Sequence, residues 1–485
     1  MKKSIKNRMP GILIGTLLAI ALMLFMAIVI KIQLLPTKYI LLMGGIFLLF
    51  SVVIVLLTRD SRRQGSLITG CILTMLLLIT LMIGTPYLTK ALDTLGTITT
   101  KEREVAYVGV YVQKESSYEA LTDLKDGNVG ILKLQDRKNT DKALPQIQKE
   151  IGAVTVTEYV GLNNLADGLL QGEVDAILLN SAFLDVLAET EGYKEVPAQL
   201  KEIYQYKAET EIKKKKDETK DPENPIADRV FTLYISGIDS RDGVVDMTRS
   251  DVNILATVNV DTRQVLLVST PRDYYVPLSI SDGIPDKLTH AGIYGVDVSM
   301  ETLEMLYDTE IDYYFRVNFS GFERIIDALG GVTVNSEMEF TSRDGHYYSE
   351  GENYLDGASA LSFARERYAF EDGDRQRGKN QMAVIKAVIE KAMSPTLLLN
   401  YASIMDSVSG SFETSMPYDT IAELVRNQLD KGGDWKITSI SVDGYNDSQI
   451  TYSLGIELYV MVPDQATVDT AIAKINQVVN GEILE

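Results

Sequence analysis

Cysteine occurs once in 485 residues, at Cys71, and histidine twice, at His290 and His346. One thiol cannot close an intramolecular disulfide, and it excludes a Cys-based zinc site. Two imidazoles leave little room for a His-rich metal centre. No phosphate loop, H-E-x-x-H or G-x-S-x-G pattern is present. Positive charge is also scarce, with 47 Lys and Arg against 67 Asp and Glu, a net of −20. Intrinsic disorder is excluded by an apolar content of 46%. At roughly 150 residues per domain, the length suggests about three units.

The charge is divided unevenly. Residues 1–100 hold ten Lys and Arg and only two acids, Asp60 and Asp93. The other 37 basic and 65 acidic side chains fall in residues 101–485, a net of −28. A basic apolar head therefore precedes an acidic body. Such a body is a poor partner for nucleic acid, whose phosphates require surplus Lys and Arg.

Three uncharged runs fill the head: Gly11–Ile30, Tyr39–Thr58 and Gly65–Leu88. Each exceeds the ~18 residues that mark a spanning helix. A cleaved signal would carry one apolar run of ~7–15 residues, so three transmembrane helices are expected, about 11–30, 39–58 and 65–88. Cys71 lies in the third and is read as a small apolar filler. Lys2, Lys3, Lys6 and Arg8 precede the first span, and Arg59, Arg62 and Arg63 separate the second from the third. Both clusters belong in the cytoplasm by the positive-inside rule. Three spans then place residues 89–485 outside the plasma membrane.

The body reads as α/β. Val105–Val112, Val129–Leu134, Val154–Tyr159 and Asp175–Leu179 are strand candidates; Ser117–Leu124 and Thr140–Ile151 are helix candidates. These define an accessory domain over 101–208, either a ligand or partner module or a structural spacer. A charged stretch, Lys213-Lys-Lys-Lys-Asp-Glu-Thr-Lys, and Asp221-Pro-Glu-Asn-Pro mark a linker over 209–228. From 229 to 485 the alternation resumes. Val230–Ile235, Val252–Val260 and Gln264–Ser269 are β-rich, the last two joined by Asp261-Thr-Arg. Ser299–Tyr307, Ser320–Leu329, Gly378–Met393, Tyr418–Gln428 and Gln465–Val479 have helical spacing. Val332–Asn335, Ile437–Val442 and Glu457–Val462 are further strands.

Chemistry-bearing residues gather at strand–loop boundaries. Asp239 follows the first strand of this region, and Arg249-Ser-Asp251 opens the next. Pro271-Arg-Asp ends the third and offers Arg272. Arg365 and Arg367 lie in Phe363-Ala-Arg-Glu-Arg-Tyr, and Asp374, Arg377 and Gln381 in the stretch from Gly373. Strand ends in α/β sheets are where ligands collect. Asp239 and Asp251 offer hard oxygens to Mg²⁺, and arginine forks suit phosphate. Any single pair also reads as a surface ion pair. Arg365 and Arg367 share a face if extended but not if helical.

The motifs taken together closely resemble the LytR–CpsA–Psr family. They are Gly237-Ile-Asp, Arg249-Ser-Asp, Val268-Ser-Thr-Pro-Arg-Asp, Asp286-Lys-Leu-Thr-His-Ala-Gly, Gly330-Gly-Val-Thr-Val, Leu355-Asp-Gly-Ala-Ser-Ala-Leu-Ser-Phe-Ala-Arg-Glu-Arg and Gly373-Asp374…Arg377…Gln381. The three-span head and accessory domain resemble its capsule-associated branch. The resemblance implies a Gram-positive envelope enzyme with an α/β/α catalytic domain over 229–485, built on a central mixed sheet. It implies transfer of a glycan phosphate from a polyprenyl diphosphate carrier to peptidoglycan, in capsule biosynthesis. Mg²⁺ would sit on Asp239 and Asp251. Arg249, Arg272, Arg365, Arg367 and Arg377 would clamp the diphosphate, with Asp374 and Gln381 orienting these arginines or the phosphate. Asp239, Asp251, Arg272, Arg365 and Asp374 are the candidate catalytic residues. Asn380 stands where many relatives carry Arg, and Lys287 and His290 are read as structural. Ile254–Val258 and Met382–Ile385 are candidate walls for the prenyl tail. Capsule export and tyrosine-kinase machinery are candidate partners of the head. The rival readings are a pyrophosphatase, in which water attacks the diphosphate, and a non-enzymatic lipid-binding regulator.

Overall fold

The computed structural model describes residues 9–32, 35–58, 64–99, 103–212, 229–238, 247–371, 373–394 and 410–485. The expected linker core at 213–228 and Asp239 lie outside the described residues. The chain divides into two compact units, Met1–Thr100 with Ala392–Ser409 and Met416–Asp434, and Lys101–Lys391 with Gly410–Ser415 and Trp435–Glu485.

The first unit holds helices α1 (Met9–Ile32), α2 (Thr37–Thr58) and α3 (Gln64–Thr99). The segments Leu13–Lys31, Thr37–Thr58 and Gln64–Pro86 are long and apolar enough to cross a membrane. Leu18, Leu22, Ile54 and Leu81 pack between them, and Phe25 meets Phe47 edge-on at 5.9 Å. A Cβ at Gly70 would lie 2.5 Å from Thr58 Cγ2, so glycine lets α2 and α3 approach. Hydroxyls are satisfied within the helices: Thr58, Thr74 and Thr85 donate to the carbonyls of Ile54, Gly70 and Leu81. Cys71 is exposed on α3 and does not fill the bundle as expected.

The second unit opens with a five-stranded sheet in the order β3-β2-β4-β1-β5. Its strands are β1 (Arg103–Gln113), β2 (Asn128–Leu132), β3 (Thr155–Tyr159), β4 (Ala176–Asn180) and β5 (Leu200–Glu211). Helices α4 (Arg137–Ile151), α5 (Leu162–Leu170) and α6 (Ala182–Glu189) cover it. Leu162, Leu165, Ala166 and Leu169 give α5 one buried face at helical spacing. Strand β5 pairs with β1 from Arg103↔Glu211 to Gln113↔Leu200, so regular structure runs past the expected linker start at 209. Ser117–Leu124 is not a full helix. Only Leu121–Leu124 forms a 3-10 turn, because the Asp123 carboxylate captures the backbone N–H groups of Glu119 and Ala120.

The larger sheet runs, in order, through residues 412–414 (β16), 313–318 (β11), 230–238 (β6), 250–259 (β7), 264–270 (β8) and 436–441 (β17). Strands β6 (Val230–Ile238), β7 (Ser250–Asn259) and β8 (Gln264–Thr270) form an antiparallel meander. After β9 (Tyr275–Pro277), β10 (Pro285–Lys287), α7 (Leu288–Ala291) and α8 (Val296–Tyr307), β11 (Tyr313–Asn318) pairs parallel with β6. Strand alternation divides the core. Leu255 and Leu266 face α8, whereas Ile254, Ala256 and Leu267 face the other side. Full burial of such a side chain contributes about 1.5–3 kcal/mol. A lateral layer follows, with α9 (Phe319–Ala328), β12 (Val332–Ser336), β13 (Phe340–Thr341), β14 (Tyr347–Tyr348), β15 (Gly351–Leu355) and α10 (Gly357–Arg365) around Phe340, Tyr348 and Phe363. Helix α11 (Asp374–Ala392) then covers Ile254, Ala256 and Leu267 with Met382, Ile385 and Ile389. Strand β16 (Phe412–Thr414) joins the sheet, and α12 (Tyr418–Lys431) belongs to the first unit. Strands β17 (Lys436–Ser441), β18 (Gly444–Ile450) and β19 (Glu457–Pro463) precede α13 (Gln465–Val479), which packs beside α8 through Val468, Ala471, Ile475 and Val478. With α8 and α13 on one face and α11 on the other, the expected α/β/α layering is present.

Accessory and larger sheets share one unit, fastened by buried charge. Arg316 on β11, 2% exposed, donates Nη1 to Glu104 Oε1 on β1 at 2.6 Å and Nε to Glu413 Oε1 on β16 at 2.9 Å. The backbone N–H of Val296 also donates to Glu104, at 3.1 Å. Burial pushes the Glu104 carboxyl up, and Arg316 opposes it. Removing the cation strands two buried acids. Arg316→Met should therefore lose about 3–5 kcal/mol, whereas Glu104→Gln, which keeps an acceptor for Val296, should lose about 1 kcal/mol. Thermal melting of the full chain, followed by near-UV circular dichroism, checks the order.

Asp136, at the start of α4, carries a second buried carboxyl. Asn139 donates to its Oδ1 at 2.6 Å, and the side chain of Asn180 also acts on the carboxyl. Burial pushes its pKa from 3.8 up to about 7. A raised folded value gives stability that is complete at low pH and lost as pH climbs to about 7. Asp136→Asn should be nearly neutral at pH 4 and stabilising by about 2–4 kcal/mol at pH 8, measured by denaturation at both values.

Candidate functional site

Several of the candidate segments end at one edge of the larger sheet. Ile238 at the end of β6 pairs with Ser250 at the start of β7 and with Asn318 at the end of β11. Asn253 pairs with Thr270 at the end of β8. The carboxyl ends of β6, β8 and β11 therefore share an edge with the 249–251 turn. A Cβ at Gly237 would fall 2.7 Å from Val252 Cγ2, so glycine permits the bulge there. Beneath the turn, Ser250 Oγ lies 2.9 Å from the Tyr234 hydroxyl and 2.7 Å from Ser236 Oγ, and Tyr234 donates to Asn253 Oδ1 at 2.6 Å. This buried network fixes the backbone from which Arg249 and Asp251 project.

Arg272 is the hub. Its Nη1 donates to Asp251 Oδ1 at 2.8 Å, and its Nη2 to Glu189 Oε2 at 2.9 Å. Arg249 Nη1 reaches the same Glu189 oxygen at 2.5 Å. Thr289 Oγ1 donates to Asp251 Oδ1 at 3.3 Å. Among the described residues, the buried Nε atoms of Arg249 and Arg272 have no hydrogen-bond acceptor. Burial works against the charge of Arg272, but Asp251, Asp273 and Glu189 outweigh it and raise its pKa. Burial pushes Asp273 and Glu189 up, yet both end below the usual carboxylate range. Lys287, whose Nζ lies 2.9 Å from Asp273, and Arg272 hold Asp273 down; Arg249 and Arg272 do the same for Glu189.

The second half of the site comes from α10 and α11. Asp374, Arg377 and Gln381 fall at i, i+3 and i+7, one face of α11. Asp374 Oδ1 lies 3.4 Å from Arg377 Nη2 and 3.8 Å from Arg367 Nη1. Its charge also acts on Arg272, and that of Arg272 on Arg377. Burial lowers the Arg377 pKa despite Asp374. Six sequence candidates, Arg249, Asp251, Arg272, Arg367, Asp374 and Arg377, thus form one charged cluster. Arg365 ends α10, where it is exposed with its guanidinium 4.2 Å above the ring of Phe319, the first residue of α9. The helix stops between Arg365 and Arg367, so the two are neither extended nor helical neighbours. Asn380 is buried and bonded to Phe363 O and Gln376, which makes it a packing residue of α11. His290 Nδ1 lies 2.7 Å from Asp286 Oδ1, both buried, and serves the fold.

Sequence reasoning passed over two acids. Glu189 belongs to a helix of the accessory sheet and has no motif. Glu366, between the two arginines, is 4% exposed. Its Oε1 accepts from the backbone N–H groups of Arg367, Tyr368 and Ala369 at 3.0, 2.7 and 3.0 Å, and its Oε2 from that of Arg343 at 2.6 Å. One carboxylate therefore shapes the turn that carries Arg367.

The LytR–CpsA–Psr family profile matches residues 199–473. The polyisoprenyl-teichoic acid–peptidoglycan teichoic acid transferase TagU of Enterococcus faecalis V583 is 34% identical over 224 residues, 46% of this chain and 73% of the relative. The TagU of Bacillus cereus AH820 is 32% identical over 278 residues, 57% of this chain and 87% of the relative. Among solved structures, B. subtilis TagV aligns at 25% identity with a TM-score of 0.44, covering 53% of this chain and 99% of its own. B. subtilis TagU aligns at 26% with a TM-score of 0.41, covering 53% and 99%.

Glu366→Ala should leave four backbone N–H groups unsatisfied and cost about 2–4 kcal/mol. Amide hydrogen exchange at Arg343, Arg367, Tyr368 and Ala369 should accelerate selectively.

Proposed function

The chain belongs to the LytR–CpsA–Psr family, and from that premise we propose that it transfers a glycan phosphate from a polyprenyl diphosphate carrier to peptidoglycan. The observation that carries the reading is the guanidinium cluster at the sheet edge, where Arg249 and Arg272 keep buried Nε–H groups unspent. Such forks match the oxygens of a diphosphate. The sugar hydroxyl of peptidoglycan would attack the phosphorus next to the glycan. A new O–P bond forms, the P–O–P bridge breaks, and polyprenyl phosphate leaves. Arg249, Arg272, Arg367 and Arg377 would hold the developing negative charge, with Arg365 reaching from the end of α10. Asp239 or Asp374 would take the hydroxyl proton. Gln381, one turn beyond Arg377, would orient the phosphate.

Asp251 would hold Mg²⁺ together with Asp239. Asp251 Oδ1 accepts from Arg272 and Thr289, while Oδ2 has no partner among the described residues. Such an ion typically takes one or two carboxylates plus substrate phosphates. When bound, the ion would neutralise phosphate charge.

The prenyl tail would lie between the sheet and α11. Leu233, Ile235, Val252 and Val258 are only partly buried there, beside Ile254, Met382 and Ile385. The three apolar helices would anchor the protein as a multi-pass plasma-membrane protein, with residues 89–485 outside. The three-span head and accessory domain favour a capsular glycan as cargo. Capsule export and tyrosine-kinase machinery would then be the neighbours of the head.

The test incubates the full chain with Mg²⁺, a polyprenyl-diphosphate glycan and peptidoglycan oligomers, followed by mass spectrometry. A glycan–phosphate–peptidoglycan adduct is expected from wild type. Arg272→Ala and Asp239→Ala should each reduce it about 10²–10³-fold. Polyprenyl phosphate without adduct would favour the pyrophosphatase. Tightly bound lipid without turnover would favour the regulator.

A further inference from the structure

Glu189 is out of place by ordinary helix electrostatics. It is the last residue of α6, where the helix dipole presents its negative end and a carboxylate is disfavoured. Arg249 and Arg272 offset this by sharing its Oε2. The two arginines assigned to phosphate thus hold a carboxylate from the accessory sheet's own helix. The Glu189 side chain remains 49% exposed, while Arg249 and Arg272 are 10% and 12% exposed. The acid can therefore swing away, and the guanidiniums stay. The accessory sheet does not depend on this contact. It is also held by Glu104 on Arg316, by Met247 N donating to Val105 O at 3.0 Å, by Gln135 donating to Tyr452 O at 2.7 Å, and by Ile293 and Leu454 in its apolar cluster.

We infer that Glu189 is a specificity-determining residue: an internal anion that occupies the phosphate position between Arg249 and Arg272 and is exchanged for the lipid's phosphate. This rests on the reading of those arginines as the diphosphate clamp. A diphosphate presents non-bridging oxygens on two phosphorus atoms, one for each fork, and so can displace a carboxylate that meets both arginines through a single oxygen. A monophosphate, the form in which the lipid leaves, competes less well. Glu189 then returns to the arginines and favours product release. Between turnovers it keeps the buried guanidiniums paired and in position.

The full chain in detergent, titrated with farnesyl diphosphate and farnesyl monophosphate by calorimetry, tests the exchange. Glu189→Gln keeps the shape but removes the competing charge. It should bind both ligands about three- to tenfold more tightly, and the monophosphate should become a stronger product inhibitor. Hydrogen exchange over 185–190 should accelerate in wild type on adding farnesyl diphosphate, and in Glu189→Gln without it. Arg272→Ala is the control for the site itself. If Arg272→Ala loses the diphosphate while Glu189→Gln binds no more tightly than wild type, the exchange is overturned and the clamp stands. If Arg272→Ala binds as wild type does, the clamp reading fails, and the inference fails with it.

Discussion

A guanidinium withdrawn from water costs several kcal/mol unless anions surround it. At the edge of the larger sheet that constraint acts on Arg249 and Arg272 together, and much of the local architecture answers it. Asp251, Asp273 and Glu189 supply the negative charge. Lys287 keeps Asp273 ionised in turn. The hydroxyl network of Tyr234, Ser236 and Ser250 anchors the turn from which Arg249 and Asp251 extend. Positive groups gather here against the acidic background of the body, each paired with a carboxylate.

The buried arginines of the second unit differ in how completely they are bonded. Arg316 spends Nε, Nη1 and Nη2 on Glu104 and Glu413. Its electrostatics are closed by two carboxylates from two other strands. Arg249 and Arg272 are hydrogen-bonded through their terminal nitrogens, whereas their buried Nε–H groups find no hydrogen-bond acceptor among the described residues, Asp273 Oδ2 standing 3.7 Å from that of Arg272. A group that is buried, charged and incompletely bonded is expensive to keep in a fold. Retaining two side by side at strand ends is understandable where a ligand supplies the missing acceptors.

Much of this was legible in the residues. The limits of α13 match those expected, because its apolar spacing and flanking polar residues are unambiguous. The meander β6–β8 was legible from β-branched runs around Asp261-Thr-Arg. Strand β5 was not, because as an edge strand it carries charge on its outer positions and merges with the acidic and basic run that follows. The first turn of α11, Asp374-Arg-Gln-Arg, lacks an apolar stripe and is held by ion pairs, so its start was hidden until Gly378. The cluster of Arg249, Asp251, Arg272, Asp374 and Arg377 was readable because each residue lies in a motif. Glu189 was not readable, since its role depends on how a separate sheet docks. Glu366 looked like a spacer because backbone N–H groups leave no trace in side-chain patterns.

Strands β1 and β5 run antiparallel, and Arg103 at the entrance of the accessory sheet pairs with Glu211 at its exit. The chain therefore enters and leaves this sheet at neighbouring points, as an inserted module does. Such a module can be gained or shed during evolution without rerouting the rest of the chain. Its removal would take Glu189 from Arg249 and Arg272. Excision would remove Glu104 and leave Arg316 with Glu413 alone. Balancing the charge at β11 would thus be one chemical condition under which a lineage could trade the module away.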